Sequence, residues 1–271
     1  MRRFLFVLVT VAVTASLAHG RVIIQVRSCG KLIDRGQAGI LMADLDGGHQ
    51  WGRCYECPGG RSCAAIEPAV SCSGRSDCPD PVTDKCDDAG ESPASVGIYV
   101  APGGRLYMNG YSIRHVQHAI LGTYPDGVAT SGRIRVIGPG TVASTREAIY
   151  ITDGSLSGGL TLTDSLYGVA ASKLRAKDVD ASDNVIGLSV FNTMRATRVT
   201  ADNNLYAGFV SYEGARITYS HATGNTVADV TSELPPRVTA TVCDHSAALE
   251  ETATPGIYSA TGPPWGFCSG D

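Results

Sequence analysis

Between Val96 and Ser232, short apolar stretches alternate with polar positions, and the alternation returns with a fixed period. Leu174-Arg175-Ala176-Lys177, Met194-Arg195-Ala196-Thr197 and Ala215-Arg216-Ile217-Thr218 align at offsets of 20 and 21 residues (174 to 194, 194 to 215). Asn184, Asn204 and Asn225 recur in the same register. Alternation with a period of two places one side of each strand in a core. A repeat of this length built from such strands, without a helical pattern, predicts a β-solenoid. A sandwich also shows short strands between turns, but it gives no reason for the same residue to return at the same place. The expected fold is therefore all-β, a parallel β-helix of about six rungs.

Tracing the inward positions back from the clear repeats gives one column of Leu106, Ile134, Leu156, Leu174, Met194 and Ala215. A second contains Val179, Val199 and Ser220, with Ala181, Ala201 and Ala222 two residues on. Glycines open the strands at Gly97, Gly168, Gly187 and Gly208. Asp229, which follows Leu188 and Phe209 in the tracing, interrupts an apolar column and suggests the end of the stack. The three asparagines are expected at rung turns, as a structural ladder of stacked amides, because Asn tolerates left-handed backbone.

Around this core the chain divides into four parts. Residues 1–20, with Arg2 and Arg3 before an apolar run and small residues at Ala18 and Gly20, read as a signal peptide. The run is well short of the roughly 20 residues that span a bilayer, so no integral membrane segment is expected in the mature chain. Residues 21–95 form a lead-in with a cysteine-rich loop, 96–232 the repeats, and 233–271 a tail containing Pro235, Pro236, Pro255, Pro263 and Pro264. The tail is expected to cover the open end of the stack and prevent pairing between copies, leaving a secreted or cell-envelope monomer.

Export changes the meaning of the nine cysteines. Cys54, Cys57, Cys63, Cys72, Cys78 and Cys86 crowd a segment too poor in apolar residues for its own core, which predicts disulfides. Zinc is the sharper alternative, since Cys54 and Cys57 have ligand spacing, but no second such pair follows. Cys243 and Cys268 are expected to pair and fasten the tail. An odd total leaves one thiol over, and Cys29 either joins the cluster or stays apart.

Gly97-Ile98-Tyr99-Val100, Gly104 to Ile113 and Gly132 to Gly140 resemble the opening of right-handed parallel β-helix proteins, the pectate-lyase-like superfamily of bacterial secreted proteins. The resemblance covers about half of the chain, 96–232. It implies a right-handed helix. It leaves the activity open, because the superfamily holds lyases, hydrolases, epimerases, adhesins and proteins without known activity. The polygalacturonase signatures Asn-Thr-Asp, Asp-Asp, Gly-His-Gly and Arg-Ile-Lys are not found together: Asp87-Asp88 lies outside the repeats, and Arg133-Ile134-Arg135 stands alone. A hydrolase with paired carboxylates is thereby disfavoured.

Candidate chemistry comes from the outward positions. Tyr107, Arg135, Ser157, Arg175, Arg195 and Arg216 form the expected exterior column, of which Arg135, Arg175, Arg195 and Arg216 are candidate ligand-binding residues. Like charges opposite one another on a sheet are destabilising, so such a strip invites anions, and guanidinium forks suit carboxylates or sulfates along an acidic polysaccharide. The bland alternative is a solvated strip neutralised by Asp178, Asp180 and Asp202. Lyases of the resembled type need a base and a cationic partner. Lys177, Arg198, Tyr219 and His221 could supply these, with Asp178 and Asp180 as calcium ligands. His115 and His118 are expected on opposite faces of a strand, which argues against shared metal ligation. A net charge of −4 and an isoelectric point near 5.9 give no reason to expect nucleic acid. The sequence thus supports association with an acidic polysaccharide, with β-elimination possible and a non-catalytic surface module as the alternative.

Overall fold

The computed structural model describes residues 21–48, 52–56, 64–65, 71–72, 75–79, 84–88, 96–123, 131–251 and 258–271. The expected signal peptide, Cys57 and Cys63 lie outside them. The described chain is all-β, and its main sheet joins strands almost entirely in parallel. This arrangement is compatible with a β-helix.

The strands fall into three stacked sets. One face stacks Ile23–Val26, Ala38–Leu41, Arg105–Tyr107 and Ile134–Ile137, then 153–157, 173–177, 193–197, 214–218 and 237–239, each in parallel register with the next. A second face runs from Leu45–Asp46 through 112–114, 141–143, 160–161, 179–180 and 199–200. His221–Ala222 and Val242–Cys243 complete it. The third runs from Lys31–Ile33 through 98–100, 118–122, 147–151, 167–171, 186–190, 207–211 and 228–232 to Ser246–Ala248. Each pass across the three faces is called a layer below.

The register corrects several sequence expectations. The ladder continues past both 96 and 232, so strands of the lead-in and of the tail belong to the same stack, and it is longer than six layers. Leu106 and Leu156 are not in the column of Leu174. Leu106, Val136, Leu156, Ala176, Ala196 and Ile217 form one inward column, while Ile134, Gly154, Leu174, Met194 and Ala215 form the column beside it. Gly154 hid this offset. It is an inward position without a side chain, its space taken by Ile151.

The core is a narrow apolar column, mostly aliphatic, of fully buried residues, including Leu106, Ile134, Leu156, Met194 and the aromatic Phe209. Left-handed residues turn the corners: Ser144, Asp164, Asp183 and Asn203 at one, Asp178, Arg198, Tyr219 and Ala240 at another. The asparagines are therefore not themselves left-handed. Each follows a left-handed position, or Gly224, and points inward. Asn184, Asn204 and Asn225 are almost fully buried. Asn204 Oδ1 accepts from the Asn184 backbone N–H at 2.9 Å, and Asn225 Oδ1 accepts from the N–H and Nδ2 of Asn204, both at 2.9 Å. The neighbouring glycines follow from this packing. A Cβ at Gly168 would stand 2.6 Å from the Gly187 carbonyl, and one at Gly187 would stand 2.6 Å from that of Gly208.

Asp229 pairs in register beside Gly208, not Phe209, whose partner is Val230. It does not end the stack. Its carboxylate accepts from Asn225 Nδ2 at 2.6 Å and from the backbone N–H groups of Asp244 and His245 at 2.6 and 2.9 Å, which closes the asparagine ladder. Burying a carboxylate without such donors would be costly.

Cys72 pairs with Cys86 and Cys243 with Cys268, Cys78 is also disulfide-bonded, and Cys29 is an exposed free thiol. Burial of the thiol and the nearby Asp46 carboxylate raise the Cys29 pKa above its ordinary value. The cysteine-rich segment is tied to the stack, where Ser76 donates through its N–H and hydroxyl to Asp164 at 2.9 and 2.6 Å. The tail does two things. Phe267 and Cys268 pack against the end of the aliphatic core, while Leu249 and Ala260 cover the outer side of the third face around Val210 and Ala247. No described helix is long and apolar enough to cross a membrane.

Candidate functional site

The outer side of the first face carries a column of arginines longer than the repeats suggested. Arg105 stands beside Arg135, then Ser155, Arg175, Arg195, Arg216 and Arg237 follow in register. Six arginines thus occupy seven successive layers, and at about 4.8 Å per layer the column is roughly 29 Å long. Tyr107 and Ser157 are displaced by two residues from the expected column and stand beside Ile137, Lys177, Thr197 and Thr218.

Strand alternation puts these arginines outside, because the residues on either side, such as Leu174 and Ala176 or Met194 and Ala196, fill the core. Arg135, Arg175, Arg195, Arg216 and Arg237 are exposed. None of the six side chains has an ion-pair or hydrogen-bond partner among the described residues. The expected neutralising carboxylates are engaged elsewhere. Asp178 accepts from Nε and Nη2 of Arg198 at 2.6 and 3.0 Å, Asp180 accepts from Ser182 Oγ at 2.6 Å, and Asp202 meets His221 Nδ1 at 2.8 Å. Arg133 and Asp153, paired at 2.9 Å, flank the column.

Two shallow grooves follow one side of the column. The larger, about 420 Å3, includes Arg195, Arg216, Arg237, Glu213 and Leu234. The smaller, about 210 Å3, includes Arg133, Asp153, Lys173, Arg175 and Arg195. Thr193 and Arg195 border both, so the grooves adjoin.

The candidate catalytic residues do not converge on this face. Lys177 lies at the end of the arginine-bearing strand segment, Arg198 and Tyr219 at a left-handed corner, and His221 on the second face. Arg198 and Tyr219 occupy adjacent layers, but Arg198 is committed to Asp178. The hydrogen bond and charge of Arg198 hold the Asp178 carboxyl below its ordinary pKa, and Asp178 in turn raises that of Arg198. Asp178 and Asp180 therefore do not fit the expected calcium site: both oxygens of the first already serve a guanidinium. Among the described residues, no group of three or more His, Cys, Asp or Glu side chains is placed to hold a metal ion. His115 and His118 also part company, His115 meeting Asp46 at 2.9 Å and His118 meeting Glu147 at 2.7 Å.

Sequence reasoning missed Arg105 and Arg237. Arg237 follows Arg216 by 21 residues (237 − 216), the same offset that relates Arg195 to Arg216, but it sits past the prolines taken to mark the tail. Arg105 precedes Arg135 by 30 residues, because the intervening segment is lengthened, and no fixed offset reaches it. No protein-family model, curated protein or solved structure matches this chain.

Proposed function

We propose that the chain is a secreted, right-handed parallel β-helix protein, similar to the pectate-lyase-like superfamily, that associates with an acidic polysaccharide along its arginine-bearing face. One observation supports this most strongly: six guanidinium groups at layer spacing without a described carboxylate partner, in a chain whose net charge is −4. Lining up like charges on a sheet costs stability, and a polymer with carboxylates or sulfates along its length relieves that repulsion while pairing with the guanidinium forks.

Association is favoured over β-elimination. A lyase needs its base and its cationic partner at one sugar, whereas Lys177, Arg198, Tyr219 and His221 are spread around a corner and two of them are already paired. A non-catalytic surface module is the second reading, favoured by the cysteine-rich segment that Ser76 fastens to Asp164. The test is a panel of uronate and sulfated polysaccharides, with and without calcium, read for retention on the polymer and for absorbance of an unsaturated product. Salt-sensitive retention without absorbance is expected. Indifference to every polymer contradicts the proposal, and an absorbing product converts it to a lyase.

A further inference from the structure

The corner before the arginine strands carries a pair of aromatic residues, of which Tyr212 packs against the cluster around Val210 and Ala247 while Phe191 stands out from it. Phe191 and Tyr212 stack across adjacent layers with ring centroids 4.9 Å apart and planes 12° from parallel, and Phe191 is 53% exposed. Each stands one residue before a groove residue, Asn192 and Glu213. The preceding layer has only Ser172 at this corner, because the register shifts between Ala171 and Lys173. Apart from its stack on Tyr212, the Phe191 ring leaves apolar surface in water beside a cationic groove.

We infer that Phe191, supported by Tyr212, is a ring-stacking platform, and that the groove takes a glycan whose anionic groups meet Arg195 and Arg216 while a sugar ring covers the aromatic face. This rests on the polysaccharide reading above and narrows it. A bare polyanion such as polyphosphate would use the arginines and ignore the platform. Single-stranded nucleic acid would use both, but successive bases need successive platforms, and among the described residues one stacked pair borders this column. The overall acidity of the chain also differs from the basic footprint of nucleic-acid binders.

The experiment compares the mature chain, Phe191→Ala, Phe191→Tyr and Arg195→Ala/Arg216→Ala in direct binding to uronate oligosaccharides, sulfated oligosaccharides, polyphosphate and single-stranded DNA. Phe191 is on the surface, so its variants should fold, and their circular dichroism and melting temperature are recorded alongside. Phe191→Ala is expected to weaken glycan binding about tenfold and leave polyphosphate binding unchanged, with Phe191→Tyr restoring most of the loss. The double arginine variant should lose both ligands. If it loses them and Phe191→Ala binds glycan like the parent, the platform is wrong and the arginine reading survives. If no glycan binds the parent, or if the double arginine variant binds glycan normally, both fail. Tighter binding to single-stranded DNA that also depends on Phe191 overturns the glycan in favour of nucleic acid.

Discussion

Asn184, Asn204 and Asn225 and Arg175, Arg195 and Arg216 recur at the same spacing through the same layers, one set inside the molecule and the other outside. Inside, repetition is self-satisfying. An amide carries both donor and acceptor, so each asparagine serves its neighbour, and Asp229 accepts the last donor and passes the ladder on to the Asp244 and His245 backbone. Outside, repetition is self-opposing. A guanidinium only donates, so arginines cannot satisfy one another, and their column lacks described partners. The same stacking that makes an amide ladder hold the fold makes a guanidinium ladder a demand for anions. Repeated identity therefore has two origins in this chain, stability in one column and, on the function proposed above, recognition in the other.

The sharpest way to break that contrast is to swap the consequences. Asn204→Leu leaves the buried Asn184 N–H without its acceptor and removes one of the two donors to Asn225 Oδ1, which keeps the backbone N–H of residue 204; this should cost about 2 kcal/mol of stability. Denaturant unfolding would show it. Arg175→Ala/Arg195→Ala/Arg216→Ala should leave stability unchanged or slightly raised, since opposed like charges are removed. If the triple variant unfolds as easily as Asn204→Leu, the arginines are structural and the contrast fails.

The end of the tail gives a smaller, pH-dependent effect. Burial pushes the Asp271 carboxyl up, but hydrogen bonds from Ser246, Cys268 and Phe267 outweigh it and hold the pKa below its ordinary value. A carboxylate with a depressed folded pKa contributes stability above its unfolded pKa and loses that contribution as the pH falls through the folded value. Docking of 265–271 should accordingly be intact at neutral pH and weaken below about pH 4, in the parent and not in Asp271→Asn. Amide exchange at Cys268 and Ser246 against pH would check it. Neither column should respond, which separates the tail from both.

Ser155→Arg should have the smallest effect. It fills the gap between Arg135 and Arg175, and is expected to cost a few tenths of a kcal/mol in stability while strengthening polyanion binding several-fold. A loss of binding would mean that the gap, not the column, is what the ligand reads.

Much of the architecture was legible because side chains in parallel stacks must match their neighbours one layer away. The identities at 174–177, 194–197 and 215–218 fixed three layers, and the asparagines confirmed the register. Two physical effects hid the rest. The bulge at Gly158 and Gly159 and the empty inward position at Gly154 broke the hydropathy pattern, so Leu156 was aligned with Leu174 instead of Ala176. Asp229 looked like an interruption because a buried carboxylate is read as a break unless its donors, which come from 244 and 245, are known. The candidate catalytic residues were placed on one surface for a related reason. Alternation was carried through 178, 198 and 219, where left-handed backbone turns the chain onto another face, so residues two apart in sequence did not share a surface.

Binding of the protein to a uronate polymer, followed as a function of ionic strength beside the Arg175→Ala/Arg195→Ala/Arg216→Ala variant, tests the central claim most directly. The parent should bind and release as salt screens the pairs, and the variant should bind about 100-fold more weakly with a flatter salt dependence, as expected from losing three charged contacts of about 1 kcal/mol each. Equal affinity and equal salt dependence in the two proteins would contradict it, and would leave the arginine column without a ligand.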